Sequence, residues 1–444
     1  MTAKTQNSTA RDNTHRRSGA ERRVVITGMG VVAPNGHGLG DFEAALREGR
    51  SGIRFVEELK ELKFGCQVGG VPQGIDEVKA EYFSPDLLMA MNSSMTYAGI
   101  AAIDCWRDAG LPEHPPEEGV VDWDTGAIVG TGVGGVDTLG DKVIPGVHAG
   151  RTKRLGSTMV EQTMSSAVSA RIGGLLGLGN QVTTNSSACS TGTEALIMAA
   201  DRIRSGRAVR MLAGGAEGYS PFVWAGFDAM RVLSRAFNEE PERASRPMSA
   251  STGGFVPGSG AGVLMLESLE SAQERGAHIY AEVLGGHINS GGQRGTGSMT
   301  APNPEGVRRC IRAAIADAGV EADEIEVVNG HLTGTMADPL EVENWRAALD
   351  LTPDSIPLLN GTKSLVGHAL GAAGGIECVA SILQLDRGFI HGSVNCEDLH
   401  PALEPFSPRI VRETRESSAR TLAKASFGFG DVNACVIFRT VDEH

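Results

Sequence analysis

The 444-residue sequence predicts an α/β fold built from two similar halves. Three observations lead there. Short β-branched runs alternate with amphipathic helical patterns along most of the chain. Fifty-nine glycines stand against only 5% aromatics, a composition suited to tight turns and close backbone packing. A stretch also recurs: Ala102-Ile-Asp-Cys-Trp-Arg-Asp-Ala-Gly110 resembles Ala314-Ile-Ala-Asp-Ala-Gly319. Each is followed by a strand, a Gly-containing turn and a Gly/Ala-rich helix with a reactive residue at its start, Cys189 in one half and His368 in the other. The offset falls from 319 − 110 = 209 residues to 368 − 189 = 179, so the first half carries about 30 extra residues. A duplication would bring the two helix N-termini together at a shared centre. The other reading is chance similarity among Ala/Gly-rich helices.

The elements follow in order. Residues 1–22 are polar and lack an apolar signal core, which reads as a disordered tail, with a mitochondrial-type presequence as the alternative. Arg23-Val-Val-Ile-Thr-Gly28 is a strand entering the turn Gly28-Met-Gly30. No third glycine follows at a helix start, so a dinucleotide site is discounted and no cofactor is expected. Helices are expected from about Gly40 to Arg47 and from about Pro85 to Ala109. The strand Thr125–Val129 runs into Gly130-Thr-Gly-Val-Gly-Gly135. Residues 136–165 read as irregular, with a basic centre at Arg151, Lys153 and Arg154.

The short run Gln181–Thr184 precedes Asn185-Ser-Ser-Ala-Cys189-Ser-Thr-Gly-Thr-Glu194. The helix after it has Leu196, Ala199, Ala200 and Ile203 on one face and ends at Gly206. Thr191 and Glu194 have the spacing of a capping box. Cys189 thus sits on a strand-to-helix turn, where the helix end favours thiolate over thiol. It is either a nucleophile or a buried structural cysteine. A strand at Val209–Ala213 and a loop-rich stretch over 234–262 follow.

His331 lies just beyond the strand Ile325–Asn329, where open α/β sheets bind ligands, although a histidine there can equally be structural. Asp338 reads as a helix N-cap, with Pro339 at the first helical position and Glu341 completing a box. Next comes Asn360-Gly-Thr-Lys363-Ser-Leu-Val-Gly-His368, leading to a helical face of Leu370, Ile376, Val379 and Leu383. Gly371, Gly374 and Gly375 each cost that helix about 1 kcal/mol relative to Ala, so another backbone is expected to pack there. His368 at the helix start is expected to be neutral. Lys363 and Glu377 form either a buried orienting pair or a solvated one. Ala425-Ser-Phe427-Gly-Phe429-Gly-Asp-Val-Asn433 reads as a flexible glycine loop with two aromatics, able to supply an N–H and to act as a gate.

Composition narrows the function classes. A net charge of −14 argues against a nucleic-acid binder, and no apolar run approaches a membrane span. Seven scattered cysteines without a CxxC pair argue against disulfides or a zinc site, so no metal is expected and a cytoplasmic location is.

With these residues in place the chain resembles the β-ketoacyl-ACP synthases. The likeness covers about residues 24–440 and rests on the Cys189 turn, Gly330-His331 with Thr333 and Thr335, Lys363 through His368 to Glu377, and Phe427-Gly-Phe429-Gly. It is extended by Phe227-Asp-Ala-Met230, Ala244-Ser-Arg246, Gly253-Gly-Phe-Val256 and Arg275-Gly-Ala-His-Ile-Tyr-Ala-Glu282.

The resemblance implies a thiolase-like fold, a duplicated five-layer αβαβα arrangement. It implies an N-terminal half over 23–270 with a cap and dimer insertion, a C-terminal half over 271–440, and a homodimer. Cys189 would take an acyl chain from an acyl carrier protein. His331 and His368 would hold the malonyl-ACP thioester and its enolate, with Lys363 and Glu377 in support. The N–H groups of Cys189 and Phe429 would form an oxyanion hole, with Phe427 beside the gate and Thr333 and Thr335 on the substrate. Val133 would border the far end of the acyl pocket. Arg151, Lys153 and Arg154, extended by Lys60 and Lys63, would dock the carrier.

Three departures from the family's usual motifs bear on substrate range: Leu332 after the first histidine, Asp431-Val432 after the last glycine, and Gly253 in place of an acidic residue. Two relatives in function remain as alternatives. One is a ketosynthase of a polyketide or polyene pathway. The other is a non-catalytic partner subunit of the chain-length-factor type, which would lack the nucleophile. A thiolase would need a second catalytic cysteine, and Cys435 lies in a strand-like run.

Overall fold

The computed structural model describes residues 22–441. The tail expected over residues 1–22 lies outside them, save Arg22. Ten strands form the frame: β1 Val24–Ala33, β2 Thr125–Gly130, β3 Val182–Thr183, β4 Arg210–Glu217, β5 Gly260–Ser268, β6 Ala281–Ser290, β7 Val327–Asn329, β8 Leu358–Asn360, β9 Thr421–Gly428 and β10 Val432–Arg439. They are ordered β8-β7-β9-β10-β6-β1-β5-β4-β2-β3, with the short strand Gly36–His37 also paired to β1.

This order contains the same five-strand pattern twice. From the centre outward, β1-β5-β4-β2-β3 has two antiparallel joins and then two parallel ones. The set β6-β10-β9-β7-β8 repeats that pattern. The two sets meet through only two residue pairs, Val25 with Glu282 and Ile26 with Ala281. The internal repeat is therefore a true structural duplication.

The main helices are α1 Gly38–Glu48, α2 Ser93–Asp108, α3 Ala167–Leu176, α4 Thr191–Arg204, α5 Pro304–Ala318, α6 Asp338–Leu349, α7 Lys363–Val366 and α8 Ala373–Arg387. Side-chain alternation along the strands explains the layers. In β10, Ala434, Val436 and Phe438 face one core and Cys435 and Ile437 face another. In β2, Ile128 faces the first core, while Ala127 and Val129 face a third with α2 and α3. Both faces of each half-sheet are thus covered, which is why these strands carry few polar side chains. The first core holds α4 and α8 between the half-sheets; α2 and α3 cover one outer face and α5 and α6 the other. The result is the five-layer, thiolase-like αβαβα arrangement.

Some local expectations change. The helix expected over 85–109 is interrupted: a short turn Pro85–Leu88 precedes α2, whose N-cap is Asn92, its side chain accepting from the Met95 N–H. Residues 136–163 are a chain of short helical turns rather than irregular. Strands β5 and β6 were not expected.

The glycines of α8 meet other backbones. A Cβ at Gly375 would stand 2.3 Å from the Gly262 carbonyl oxygen and 2.8 Å from the Gly215 nitrogen; at Gly374 it would stand 2.5 Å from the Thr193 nitrogen. Overpacking of this kind costs about 1–3 kcal/mol. Gly375→Ala should therefore lower the unfolding free energy by that amount, and with it the denaturant midpoint. Gly226→Ala, in the helix Pro221–Ala229 with open space around it, should leave it equal or higher. Equal midpoints for Gly375→Ala and the parent protein would contradict this packing.

Candidate active site

The start of α4 is built around a short 3₁₀ turn, Ala188–Ser190, in which Ala188 has φ +47°. A non-glycine residue at positive φ is strained and is held there by its surroundings. Thr191 does that locally: its hydroxyl accepts from the Ser187 N–H at 2.8 Å and donates to the Ala188 carbonyl at 2.7 Å. This replaces the capping box expected between Thr191 and Glu194, because Thr191 is already the first helical residue. The β9–β10 hairpin presses on the turn. Ser190 donates to the carbonyls of Ser426 (3.1 Å) and Val432 (2.9 Å). Thr193 and Ser426 share a hydroxyl hydrogen bond at 2.9 Å.

His331 follows β7. Its loop is held by Glu341, which accepts from the N–H groups of His331 (2.6 Å) and Leu332 (2.7 Å). Asp338 accepts from Thr333 and Gly334. Neither acid caps α6 as expected; both turn their carboxylates back onto the loop that carries His331. His368 is held between the halves of the fold, its N–H on the Val256 carbonyl and its carbonyl accepting from Gly258.

Cys189, His331 and His368 converge: their sulfur and ring-nitrogen atoms lie within 4.8 Å of one another. The imidazoles stand edge-to-face with centroids 5.4 Å apart. His368 Nδ1 accepts from the Leu370 N–H at 3.2 Å. His331 Nδ1 lies 3.3 Å from the Lys363 ammonium, which has only donors. Both rings are therefore assigned with the proton on Nε2. Burial, reinforced by the charges of Lys363 and Lys424, pushes both histidines well below their ordinary pKa. They are neutral and present two N–H donors rather than ligand lone pairs.

Lys363 and Glu377 are a buried pair, each about 1% exposed. Lys363 donates to Glu377 Oε1 and to the His331 carbonyl at 2.7 Å. Burial pulls the Lys363 ammonium down against the opposing pull of Glu377. Burial pushes the Cys189 thiol up to about 11, while Lys363 and the Phe429 N–H act in the other direction. The expectation that the helix end alone favours thiolate gives way to desolvation.

Cys189, His331 and His368 line a cavity of about 240 Å³. Phe227, Met230, Phe255 and Leu370 form an apolar side; Thr333 and Thr335, their hydroxyls 2.9 Å apart, stand on another. Phe427 and Phe429 also line it. Phe427 and Gly428 belong to β9, so the flexible part expected over 425–433 shrinks to the turn Phe429–Asp431.

Val133 is not among the residues lining this cavity. Its side chain is 47% exposed and its N–H is tied to Glu217 at 3.1 Å. Arg151, Lys153 and Arg154 are exposed on a 3₁₀ turn, away from the cavity lining. Lys60 pairs with Glu57 at 3.5 Å.

Two buried residues were missed. Glu217, at the end of β4, accepts from Thr131, Gly132, Val133 and, across the centre, Gly371 at 2.9 Å. Lys424, in β9, reaches Glu377 Oε2 at 2.9 Å. The available signal was a charged residue inside an otherwise small or apolar strand.

Known proteins resemble this chain over most of its length. Residues 21–272 match the family described as "Beta-ketoacyl synthase, N-terminal domain" and residues 280–397 its "C-terminal domain". The 3-oxoacyl-[acyl-carrier-protein] synthase 1 of Haemophilus influenzae is 35% identical, covering 94% of this chain and 99% of its own. The solved ishigamide ketosynthase/chain length factor superposes with a TM-score of 0.86 at 30% identity, over 95% of this chain and 100% of that one. A type II PKS ketosynthase solved with its acyl-carrier protein and a bound hexaketide gives 0.83 at 27% identity, over 95% and 100%.

The raised thiol pKa has a testable sign. Thiolate is the reactive form, and its fraction rises about tenfold per pH unit below the pKa. Alkylation of Cys189 by iodoacetamide should therefore keep rising from pH 7 to pH 10, and peptide mapping should find the label there first, because the other six cysteines are buried. A plateau by pH 8 would contradict the desolvated thiol.

Proposed function

The chain belongs to the β-ketoacyl synthase family and its reaction class is acyl transfer, and we propose that it elongates acyl chains by decarboxylative condensation with a malonyl-carrier thioester in fatty-acid synthesis. One observation carries the reading: a thiol and two neutral imidazole N–H donors meet in the lining of a largely apolar cavity.

The steps balance as follows. Cys189 sulfur attacks the acyl-carrier thioester, and the carrier leaves as its thiol. The malonyl thioester carbonyl then sits on His331 and His368 Nε2–H. Loss of CO2 leaves an enolate whose oxygen these donors stabilise, helped by the positive charges of Lys363 and Lys424. The enolate carbon attacks the acyl-Cys189 carbonyl. The resulting oxyanion is taken by the N–H groups of Cys189 and Phe429. Their closeness supports this: a Cβ on Gly428 would lie 3.0 Å from the Cys189 nitrogen. Collapse expels Cys189 sulfur, which takes up a proton, and the 3-oxoacyl chain leaves on the carrier. Neutral rings suit this role, since a charged imidazolium would hold the malonyl carboxylate instead of releasing it.

An acyl carrier protein as partner is supported by the names of the relatives. Its docking on Arg151, Lys153 and Arg154 is part of the proposal, because a protein at −14 needs a local basic patch to attract an acidic partner. The homodimer and the cytoplasmic location come from the resemblance and the reading of composition. Structural neighbours from polyketide assembly favour a second reading, the same chemistry on a polyketide chain. A non-catalytic partner subunit is disfavoured because Cys189, His331 and His368 are all in place.

Four sets of measurements test this. Cys189→Ala should abolish condensation but retain malonyl-carrier decarboxylation. His331→Ala and His368→Ala should each lose decarboxylation by about 10²–10³, the usual effect of removing one such donor, with Cys189 acylation persisting in at least one of them. Wild-type decarboxylation in either histidine variant refutes its role. Reversing Arg151 and Arg154 to Glu should raise KM for acyl-carrier and weaken its salt dependence, with acyl-pantetheine unaffected. Equal loss with both donors would overturn the docking site. Elongation assayed over saturated acyl-carriers of graded length, beside polyketide-type 3-oxoacyl-carriers, separates the two pathways. Turnover of the 3-oxo series alone would favour the polyketide reading.

A further inference from the structure

Among the described residues, Lys424 is a fully buried ammonium next to the reacting groups that the steps above use only as a background charge. It stands in β9 directly opposite Asn329 of β7, two residues before His331. Its Nζ donates to the Ala425 carbonyl, lies 3.3 Å from Ser426 Oγ and 2.9 Å from Glu377 Oε2. Glu377 Oε2 accepts no directed hydrogen bond, so this contact is an ion pair. Glu377 Oε1 takes the Lys363 ammonium. One buried carboxylate therefore lies between two ammonium groups, one on each oxygen.

A buried carboxylate with one partner can rotate or swap oxygens, whereas one pinned on both sides cannot. With Oε2 held from β9, Lys363 is kept on Oε1, where it also reaches the His331 carbonyl and His331 Nδ1. The run Lys424–Glu377–Lys363–His331 thus ends on the nitrogen whose occupancy sets the tautomer of the catalytic ring. Its other end is tied through Ser426 to Thr193 on the nucleophile's helix. Two positive charges on one carboxylate also favour an anion in the cavity.

We propose that Lys424 is a positioning residue for the condensation: by holding Glu377 it keeps Lys363 on His331 Nδ1 and so keeps the Nε2 proton of His331 aimed at the thioester oxygen. This rests on the reaction proposed above. The groups facing His331 and His368 are Lys363 on α7, Glu377 on α8, Lys424 on β9, Glu341 and Asp338 on α6, and the Cys189 thiol at the start of α4. Of these, Lys363 and Lys424 both disfavour protonated imidazole. Removing the Lys424 charge should let the histidines protonate at higher pH.

The test compares the parent protein with Lys424→Met, which keeps the length of the side chain and loses its charge. ¹⁵N-imidazole NMR, with His331→Gln to assign the signal, reads the tautomer without substrate, so it stands or falls apart from the assignment of the reaction. The parent should show His331 neutral with a bare Nδ1 at pH 7. Lys424→Met should show mixed tautomers, a rise in the pH at which the ring protonates, and an acid limb of malonyl-carrier decarboxylation moved to higher pH. Its decarboxylation rate should fall about tenfold or more, a part of the 10²–10³ lost with a whole donor, while Cys189 alkylation still proceeds. Should the methionine variant not fold, Lys424→Gln repeats the comparison. An Nδ1-protonated His331 in the parent overturns the proposal outright. So does a variant with an unchanged tautomer and pH profile, including one whose activities fall uniformly with a lowered Tm, since that is a structural role alone.

Discussion

The site depends on how closely the two duplicated halves approach at their centre. The starts of α4 and α8 touch backbone to backbone, since a Cβ on Gly192 would lie 2.4 Å from the Gly375 nitrogen; β4 meets the turn before α8 in the same way, since one on Gly215 would lie 2.2 Å from the Gly371 carbonyl oxygen. Only glycine fits at such points, and the loss of helix propensity there is offset by the contact itself. That contact lets Cys189 from one half and His368 from the other share a cavity. Glu217 secures it with a buried carboxylate spanning Gly132 and Gly371, and burial pushes that carboxyl above its ordinary pKa.

Once the halves are together, electrostatics decides what the site can do. Desolvation acts on Cys189, His331, His368 and Lys363 and in each case favours the uncharged form. It keeps the histidines neutral, which the chemistry needs, and it also raises the thiol, which the chemistry does not need at rest. The lysines work differently on the two kinds of group: they reinforce neutrality in the rings and oppose it in the thiol. The buried charges are held in strands and helices of both halves, so the proposed enolate would form with little reorganisation.

Much of this was legible in the residues. The duplication could be read from Gly110 and Gly319 closing similar helices, and the need for a close backbone contact from the glycines in α8. Cys189 and both histidines stood at recognisable strand-to-helix turns. What failed to show was tertiary in origin. Thr191, Asp338 and Glu341 have the spacing of helix caps, yet each is drawn to loop N–H groups that the fold brings near. The β-branched signal of β5 and β6 was masked by Gly262, Gly285 and Gly286, which meet the helices packed against them, and by Gly260, where a Cβ would stand 2.3 Å from the Val32 carbonyl oxygen of β1. Lys424 gave little sign of its place because the carboxylate it pairs with is 47 residues away in sequence.

The central claim, that acyl chain and malonyl unit are joined through Cys189 with loss of CO2, is tested most directly by single-turnover intact-mass analysis. Protein pre-acylated from an acyl-carrier would be mixed with malonyl-carrier, and both partners weighed over time. The account predicts that the acyl mass leaves Cys189 as the carrier gains that mass less one CO2, in matching amounts. Loss of the acyl group to water with the malonyl-carrier unchanged, or accumulation of a malonyl mass on the protein, would contradict it.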